Sequence, residues 1–153
     1  MSDARTVLFA VDESVHSDEA FDFYMKYVHK LRDFIIILYV PEYHTVIQSP
    51  MVMTDVSAVN DLLKDEETRI KSFLERKANK LKAAGVGGKV KSVGGNPGEV
   101  VCKVAATDKA SLIVIGSRGM STIRRTLLGS VSDYVMHHAH VPVLICKPLQ
   151  KKE

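Results

Sequence analysis

The amino-acid sequence predicts an α/β fold in which a five-stranded parallel sheet is covered by helices on both faces. Five short apolar runs alternate with stretches whose apolar residues recur at helical spacing. The runs are nearly continuous in aliphatic residues, which is typical of parallel strands buried on both faces. The chain has 153 residues, of which 46% are hydrophobic and 25% are charged. These values favour one domain, spanning residues 1–153, with a substantial core.

The first part of the chain predicts two strands joined by a helix. The apolar run Thr6–Val11 predicts a first buried strand. Ser14 or Ser17 can cap the helix that follows. The apolar positions of that helix are expected to be Ala20, Tyr24, Tyr27, Val28 and Leu31. A second apolar run predicts the strand Phe34–Val40.

The middle of the chain predicts a long loop and a long helix. Residues 41–59 show no clear period and carry two prolines, which favours a loop. Asp61–Ala84 is the longest helical pattern. Its apolar face is expected to comprise Ile70, Leu74, Ala78 and Leu81. Three glycines are expected to end this helix, namely Gly85, Gly87 and Gly88.

The last part of the chain predicts three strands and two helices. The strands are expected at Lys89–Val93, Leu112–Ile115 and Val143–Cys146. Pro97 is well placed to begin the helix between the first two of these strands. The apolar residues of that helix are Val100, Val101, Val104 and Ala105. The final helix is expected to run from Ser130 to about Ala139.

Composition and charge exclude several classes of partner. The net charge is +3 and the basic residues are spread along the chain, so we expect no nucleic-acid partner. The N-terminal residues pass directly into a strand without a signal peptide, and the longest apolar run is too short to span a bilayer. Cys102 and Cys146 are expected to be buried reduced thiols. We therefore expect a cytoplasmic protein that does not bind a membrane.

A glycine-rich segment follows the fourth predicted strand and is the strongest functional signal in the chain. The strand ends at Gly116, Gly119 follows, and Gly129-Ser130 begins the final helix. Glycines allow close approach of a ligand to the backbone, and the free N–H groups of a helix start bind phosphate. Three arginines add positive charge to the segment: Arg118, Arg124 and Arg125. We interpret it as a nucleotide-phosphate loop, whereas the alternative is ordinary turn and cap chemistry.

Two common nucleotide-binding motifs are absent. Gly88-Lys89 is the one Gly-Lys pair, but it lacks the first glycine and the hydroxyl of a phosphate-binding P-loop. A dinucleotide fingerprint would place its glycines after the first strand, where the sequence reads Ala10-Val11-Asp12-Glu13-Ser14. In a parallel sheet the carboxyl ends of the strands share one edge. The glycine-rich segment after the fourth strand should therefore form one site with the ends of the first two strands, namely Ala10, Val11 and Asp12 and Tyr39 and Val40.

The spacing Gly116-x2-Gly119-x9-Gly129-Ser130 resembles the ATP-binding signature of the universal stress protein family. The resemblance extends over essentially the whole chain. It includes Val11-Asp12 at the end of the first strand, Tyr39-Val40-Pro41 at the end of the second, the turn Gly95-Asn96-Pro97 and the closing Pro142-Val143-Leu144-Ile145.

This resemblance implies a fold, an assembly and a site. The fold would be a Rossmann-like three-layer sandwich with strand order 3-2-1-4-5, and two subunits would pair through their last strands as a homodimer. Val40 would hold adenine through its backbone, Asp12 would lie at the ribose or near a divalent cation, and Gly116 would face the ribose. The implied nucleotide-binding residues are Ala10, Val11, Asp12, Val40, Gly116, Ser117, Arg118, Gly119, Gly129, Ser130, Val131 and Ser132.

Other candidate sites carry weaker signals. His137, His138 and His140 could form a metal cluster, but adjacent histidines on a helix point to different sides. His16 could approach a ligand or lie exposed at a helix start. Asp12 and Glu13 could act as paired acids in hydrolysis, although acids at a helix start are more often caps. Met51 and Met53 could cover a ligand or a partner, or fill a gap in the core.

Three functional hypotheses follow. The leading hypothesis is an ATP-binding regulatory protein of the stress response, in which ATP with Mg²⁺ orders residues 116–129 and changes the dimer surface that an unknown protein partner contacts. The second is a slow ATPase or nucleotidyl-transfer enzyme with the same pocket, although the sequence offers no clear general base. The third is a nucleotide-free dimeric scaffold.

Overall fold

A computed structural model describes residues 4–41, 56–116 and 129–147 of the chain. The described elements alternate strictly between strand and helix. They are β1 (Thr6–Val11), α1 (Val15–Tyr27), β2 (Phe34–Tyr39), α2 (Val56–Ala83), β3 (Gly87–Ser92), α3 (Pro97–Thr107), β4 (Leu112–Gly116), α4 (Ser130–His138) and β5 (Val143–Cys146).

The five strands form one all-parallel sheet in the order β3-β2-β1-β4-β5. The predicted fold class and the strand order implied by the resemblance are therefore confirmed. In the register, Val11 pairs with Tyr39 and Ala10 pairs with Ile115. The carboxyl ends of β1, β2 and β4 thus meet where the strand order reverses, which is the usual ligand position in an open α/β sheet.

Each face of the sheet is covered by one pair of helices. On one face, strand residues such as Leu8 and Ile113 pack with Val101 and Val104 of α3 and with Val135 of α4. On the other face, strand residues including Phe9 and Val114 pack with Phe21 and Tyr24 of α1 and with Leu81 of α2. The apolar strand runs are buried on both sides for this reason. None of the described helices has the length and apolar character needed to cross a membrane.

The long helix α2 differs from its prediction in both start and phase. It begins at Val56, five residues before the predicted Asp61, while residues 42–55 of the predicted loop lie outside the described part of the chain. Its buried positions are Ile70, Phe73, Lys77 and Leu81, whereas Leu74 is half-buried and Ala78 is exposed. Lys77 occupies a core position because its aliphatic stem packs inward while its ammonium group bonds to Asp18.

Several predicted boundaries shift by one or a few residues. Helix α1 ends at Tyr27, so Tyr27 and Leu31 are exposed (64% and 94%) rather than part of its apolar face. Strand β2 ends at Tyr39 instead of Val40. Gly85, with a φ of +68°, ends α2, but Gly87 and Gly88 belong to β3.

The two cysteines are free but only partly buried. Burial raises the pKa of both thiols, which keeps them protonated near neutral pH. The expectation of free thiols agrees with the structure, whereas both side chains are less buried than expected. Cys146 lies on β5, at the edge of the described sheet, and this position leaves part of its side chain accessible.

A buried carboxylate joins the amino-terminal end of β1 to the turn before β2. The side chain of Asp33 is 0% exposed and accepts hydrogen bonds from Arg5 Nε (2.7 Å), Arg5 Nη2 (3.0 Å), the N–H of Lys30 (3.0 Å) and the hydroxyl of Tyr24. Burial alone would raise the pKa of this carboxyl, but the hydrogen bonds from Arg5, Tyr24 and Lys30 outweigh it and lower the pKa to about 2.

We expect the stability of the fold to decline as the pH falls from about 4 to about 2. The pKa of Asp33 rises from about 2 in the folded state to an ordinary value of 3.8 when the chain unfolds. The carboxylate therefore contributes about 2 kcal/mol above pH 4, and this contribution is lost on acidification through the folded pKa. Urea unfolding at pH 5 and pH 2.5 measures the decline. An equal decline in wild type and Asp33→Ala would contradict this assignment.

Candidate functional site

A cleft of about 290 Å³ opens at the carboxyl ends of β1, β2 and β4. Nine of the twelve predicted nucleotide-binding residues line it: Ala10, Val11, Asp12, Val40, Gly116, Gly129, Ser130, Val131 and Ser132. The other three, Ser117, Arg118 and Gly119, lie outside the described residues, as do Arg124, Arg125, Met51 and Met53. The topology thus brings together residues that are widely separated in the sequence.

One end of the cleft is the start of helix α4. Gly129 is the N-cap residue and makes no side-chain capping hydrogen bond, because it has no side chain. Ser130, Val131 and Ser132 line the cleft directly after it. The first N–H groups of a helix lack intrahelical partners and carry the positive end of the helix dipole. This end of the cleft is therefore suited to an anion such as phosphate.

Asp12 lies at the end of β1 and organises the turn into α1. Its Oδ1 atom accepts hydrogen bonds from the N–H of Ser14 (2.8 Å), from Ser17 Oγ (3.1 Å) and from the hydroxyl of Ser14. The N–H of Asp12 donates to Ser17 Oγ at 3.0 Å. Of the two predicted caps, Ser14 occupies the N-cap position without a side-chain capping bond, whereas Ser17 bonds to Asp12. These bonds fix the carboxylate at the cleft.

Sequence reasoning named Glu13 and Tyr39 as residues near the strand ends but missed the contacts that join them to Arg69 on the cleft wall. The carboxylate of Glu13 accepts a hydrogen bond from the Tyr39 hydroxyl (2.8 Å) and pairs with Arg69 of α2, which also pairs with Glu66. Burial, together with this bond to Glu13, raises the pKa of Tyr39 to about 12. Burial opposes ionisation of Glu13 itself, but the bonds from Arg69 and Tyr39 lower its pKa. Glu13 is thus a fixed anion tied to the cleft wall.

The contacts of Asp12 and Glu13 bear on their proposed role as paired acids. Asp12 bonds to serines of the β1–α1 turn, whereas Glu13 bonds to Tyr39 and Arg69 on the other side. These contacts of the two carboxylates therefore lie on different sides of the cleft entrance residues, in the β1–α1 turn for Asp12 and towards β2 and α2 for Glu13.

Gly116 is required by packing at the cleft. A Cβ atom on this residue would lie 2.8 Å from the carbonyl oxygen of His16 and 3.4 Å from the Cβ atom of Ala20. The missing side chain therefore allows the start of α1 to pack against the end of β4. By contrast, a Cβ atom on Gly129 would meet no atom of the described residues within 4 Å.

We expect Gly116→Ala to lower the free energy of unfolding by roughly 1–3 kcal/mol, because the added methyl group forces α1 away from β4. Gly94→Ala is the matched control, since a Cβ atom at this exposed glycine meets nothing within 4 Å. Urea unfolding of the two variants measures the difference. Equal stability of the variants would show that α1 shifts without cost.

His16, His137 and His138 each lie near a neighbouring side chain. His138 stacks on Tyr134 with ring centroids 4.0 Å apart, and His137 Nε2 lies 3.5 Å from Asp133 Oδ1. His16 Nδ1 lies 3.6 Å from Glu19 Oε2. Within residues 4–41, 56–116 and 129–147, no three histidine, cysteine or acidic side chains are grouped to hold a metal ion. His140 is exposed.

Comparison with known proteins shows that the chain is similar in sequence to universal stress proteins. The sequence model described as the universal stress protein family matches residues 4–147. A universal stress protein of Synechocystis is 36% identical over 72 residues, covering 47% of this chain and 67% of that protein. MJ0577 of Methanocaldococcus jannaschii, also a universal stress protein, is 31% identical over 104 residues, covering 63% of this chain and 64% of that protein.

Solved structures show the same fold over almost the entire chain. The structure of MJ0577 superposes with a TM-score of 0.79 at 23% identity, covering 96% of this chain and 98% of that one. A universal stress protein described in complex with cAMP superposes with a TM-score of 0.67 at 26% identity, covering 94% of this chain and 96% of that one.

Proposed function

The chain belongs to the universal stress protein family, and from this membership we propose that its cleft binds an adenine nucleotide, ATP with Mg²⁺ in particular, as part of a stress response. The observation that carries the proposal is the juxtaposition of the α4 start with the ends of β1 and β2 in one cleft. The similarity to a family member described in complex with cAMP supports an adenine nucleotide as the ligand class.

We place the phosphates at Gly129–Ser132, where the free N–H groups and the helix dipole favour negative charge. The adenine lies at Ala10, Val11 and Val40, whose backbone groups and apolar side chains at the cleft suit a flat heterocycle. The ribose then falls near Asp12 and Gly116. Ser117, Arg118 and Gly119 complete the proposed contacts from the segment between Gly116 and Gly129.

The residues at the cleft fit a magnesium ion carried by the nucleotide. Mg²⁺ is usually bound through substrate phosphates and one or two carboxylates. Asp12 supplies a carboxylate at the cleft, fixed by the serine bonds of its turn. We propose Asp12 as the residue that bonds to the ribose hydroxyls or to water of the magnesium shell.

The proposed assembly is a homodimer through β5, acting in the cytoplasm on a protein partner still to be identified. Strand β5 is the last strand of the described sheet, and all four of its residues are only half-buried. An edge strand with unpaired backbone groups and partly exposed apolar side chains favours pairing with a second copy. Sedimentation equilibrium tests this proposal, and a monomer at all concentrations would refute it.

Competition between nucleotides tests the ligand class. Purified protein is titrated calorimetrically with ATP, AMP, cyclic AMP and GTP, each with and without Mg²⁺. We expect micromolar binding of ATP, weaker binding of GTP because the base contacts are made for adenine, and tighter ATP binding with Mg²⁺. Equal affinity for GTP would refute the adenine site, and phosphate release during the titration would favour the ATPase hypothesis.

A further inference from the structure

A basic groove lies beside the cleft, between the start of α1 and helix α2. Its volume is about 660 Å³, and it shares Glu13 and Arg69 with the cleft wall. Four cations line this groove, namely Arg69, Arg76, Lys77 and Lys80, together with Phe73 and the carboxylates of Glu13 and Asp18. Two carboxylates that do not line the groove also pair with these cations, Glu66 with Arg69 and Asp22 with Lys80.

The two lysines of the groove share a single carboxylate oxygen. The ammonium groups of Lys77 and Lys80 both bond to the same oxygen, Asp18 Oδ1, at 2.6 Å and 3.2 Å. Lys80 also lies 3.5 Å from Asp22, whose side chain is 73% exposed. Two ammonium groups held on one oxygen atom repel each other, so an added anion between them would be stabilised.

Two of the cations, Arg76 and Lys77, lie against the ring of Phe73. The side chain of Lys77 is only 11% exposed, and its ammonium group lies 5.1 Å from the ring centroid of Phe73. Arg76 lies over the same ring at 5.9 Å. Among the residues that the structure describes, Arg76 has this ring contact but no carboxylate within ion-pair distance. A guanidinium without a carboxylate in ion-pair contact is available to a ligand oxygen.

We infer that the basic groove binds a polyphosphate chain. The cations extend from Arg69 to Lys80 along α2, a distance of about 16 Å at the rise of an α-helix. A chain of linked phosphates can contact Arg76, Lys77 and Lys80 along this line, and guanidinium and ammonium groups are the usual protein donors to phosphate. The polyphosphate is either a free inorganic chain or the phosphate chain of a nucleotide, and the inference does not depend on the nucleotide proposal for the cleft.

The test is a calorimetric titration with inorganic tripolyphosphate. The double variant Arg76→Gln/Lys80→Gln is compared with Lys64→Gln/Lys71→Gln, which removes two charges from exposed positions of α2 that do not line the groove. We expect the groove variant to weaken binding at least roughly tenfold, which corresponds to the loss of a charge-assisted hydrogen bond, while the control variant stays near wild type. Circular dichroism checks that both variants fold.

Three outcomes would overturn the inference: no binding by wild type, equal weakening in both double variants, or binding that Gly129→Val abolishes and Arg76→Gln/Lys80→Gln preserves. The last outcome would place tripolyphosphate in the cleft. A titration of ATP into Gly129→Val distinguishes the two phosphate sources. Residual ATP binding that requires Arg76 and Lys80 would identify the nucleotide as a source, whereas tripolyphosphate binding alone would identify the inorganic chain.

Discussion

Gly129→Val is expected to weaken ATP binding by roughly a hundredfold, equivalent to about 2.7 kcal/mol. The substitution places a branched side chain where the phosphates would meet the N–H groups of α4, and losing one or two charge-assisted hydrogen bonds accounts for this amount. The fold should tolerate the change, because a Cβ atom at Gly129 meets no described atom within 4 Å and its φ of −62° suits any residue. Since valine is a poor N-cap, a stability loss of under about 1 kcal/mol is expected.

Gly94→Val is the matched control for this experiment. Gly94 is exposed between β3 and α3, it does not line the cleft, and a Cβ atom there also meets nothing within 4 Å. Calorimetric titration of the two variants, together with their thermal unfolding curves, separates a lost binding site from a lost fold. Wild-type affinity for ATP in folded Gly129→Val would refute the phosphate position.

Asp33→Ala is expected to lower the free energy of unfolding by about 3–5 kcal/mol, the usual cost of removing one partner from a buried ion pair. The substitution leaves the guanidinium of Arg5 and the hydroxyl of Tyr24 without their shared acceptor, and it removes the bond to the N–H of Lys30. These groups connect β1, α1 and the turn before β2.

Asp22→Ala is the control for Asp33→Ala, because Asp22 lies on α1 with a side chain that is 73% exposed. Exposed ion pairs contribute little, so this variant should stay within about 1 kcal/mol of wild type. Urea unfolding at pH 7 gives both values. A loss in Asp33→Ala no larger than in the control would show that Arg5 and Tyr24 find other partners.

The sheet and most of the cleft could be predicted from the sequence because both depend on local patterns. Four of the five strands are largely apolar runs bounded by glycine, proline or a polar residue, and such runs identify buried parallel strands, whereas β3 reads Gly-Gly-Lys-Val-Lys-Ser. Once the strands are parallel, their carboxyl ends share one edge, so residues as distant as Val40 and Gly129 fall into one cleft. The glycine spacing indicated β4 as the strand whose end takes part in the proposed phosphate site.

The pairing of Glu13 with Arg69 could not be predicted, because the two residues are 56 positions apart and both have charged neighbours. The buried face of α2 was wrongly predicted for a related reason. Hydrophobic periodicity treats lysine as polar, yet the stem of Lys77 fills a core position and its charge bonds to Asp18. To predict which charged residues of α2 are buried or paired, one must know which side of the helix faces α1.

The central claim is that an adenine nucleotide lies across the carboxyl ends of β1 and β2 with its phosphates on α4. Backbone amide resonances of ¹⁵N-labelled protein, followed by NMR during titration with ATP and Mg²⁺, test it most directly. We predict saturable shifts at Val11, Asp12 and Val40 and at Gly129–Ser132. Shifts confined to Arg69–Lys80, or none at all at millimolar ATP, would contradict the claim.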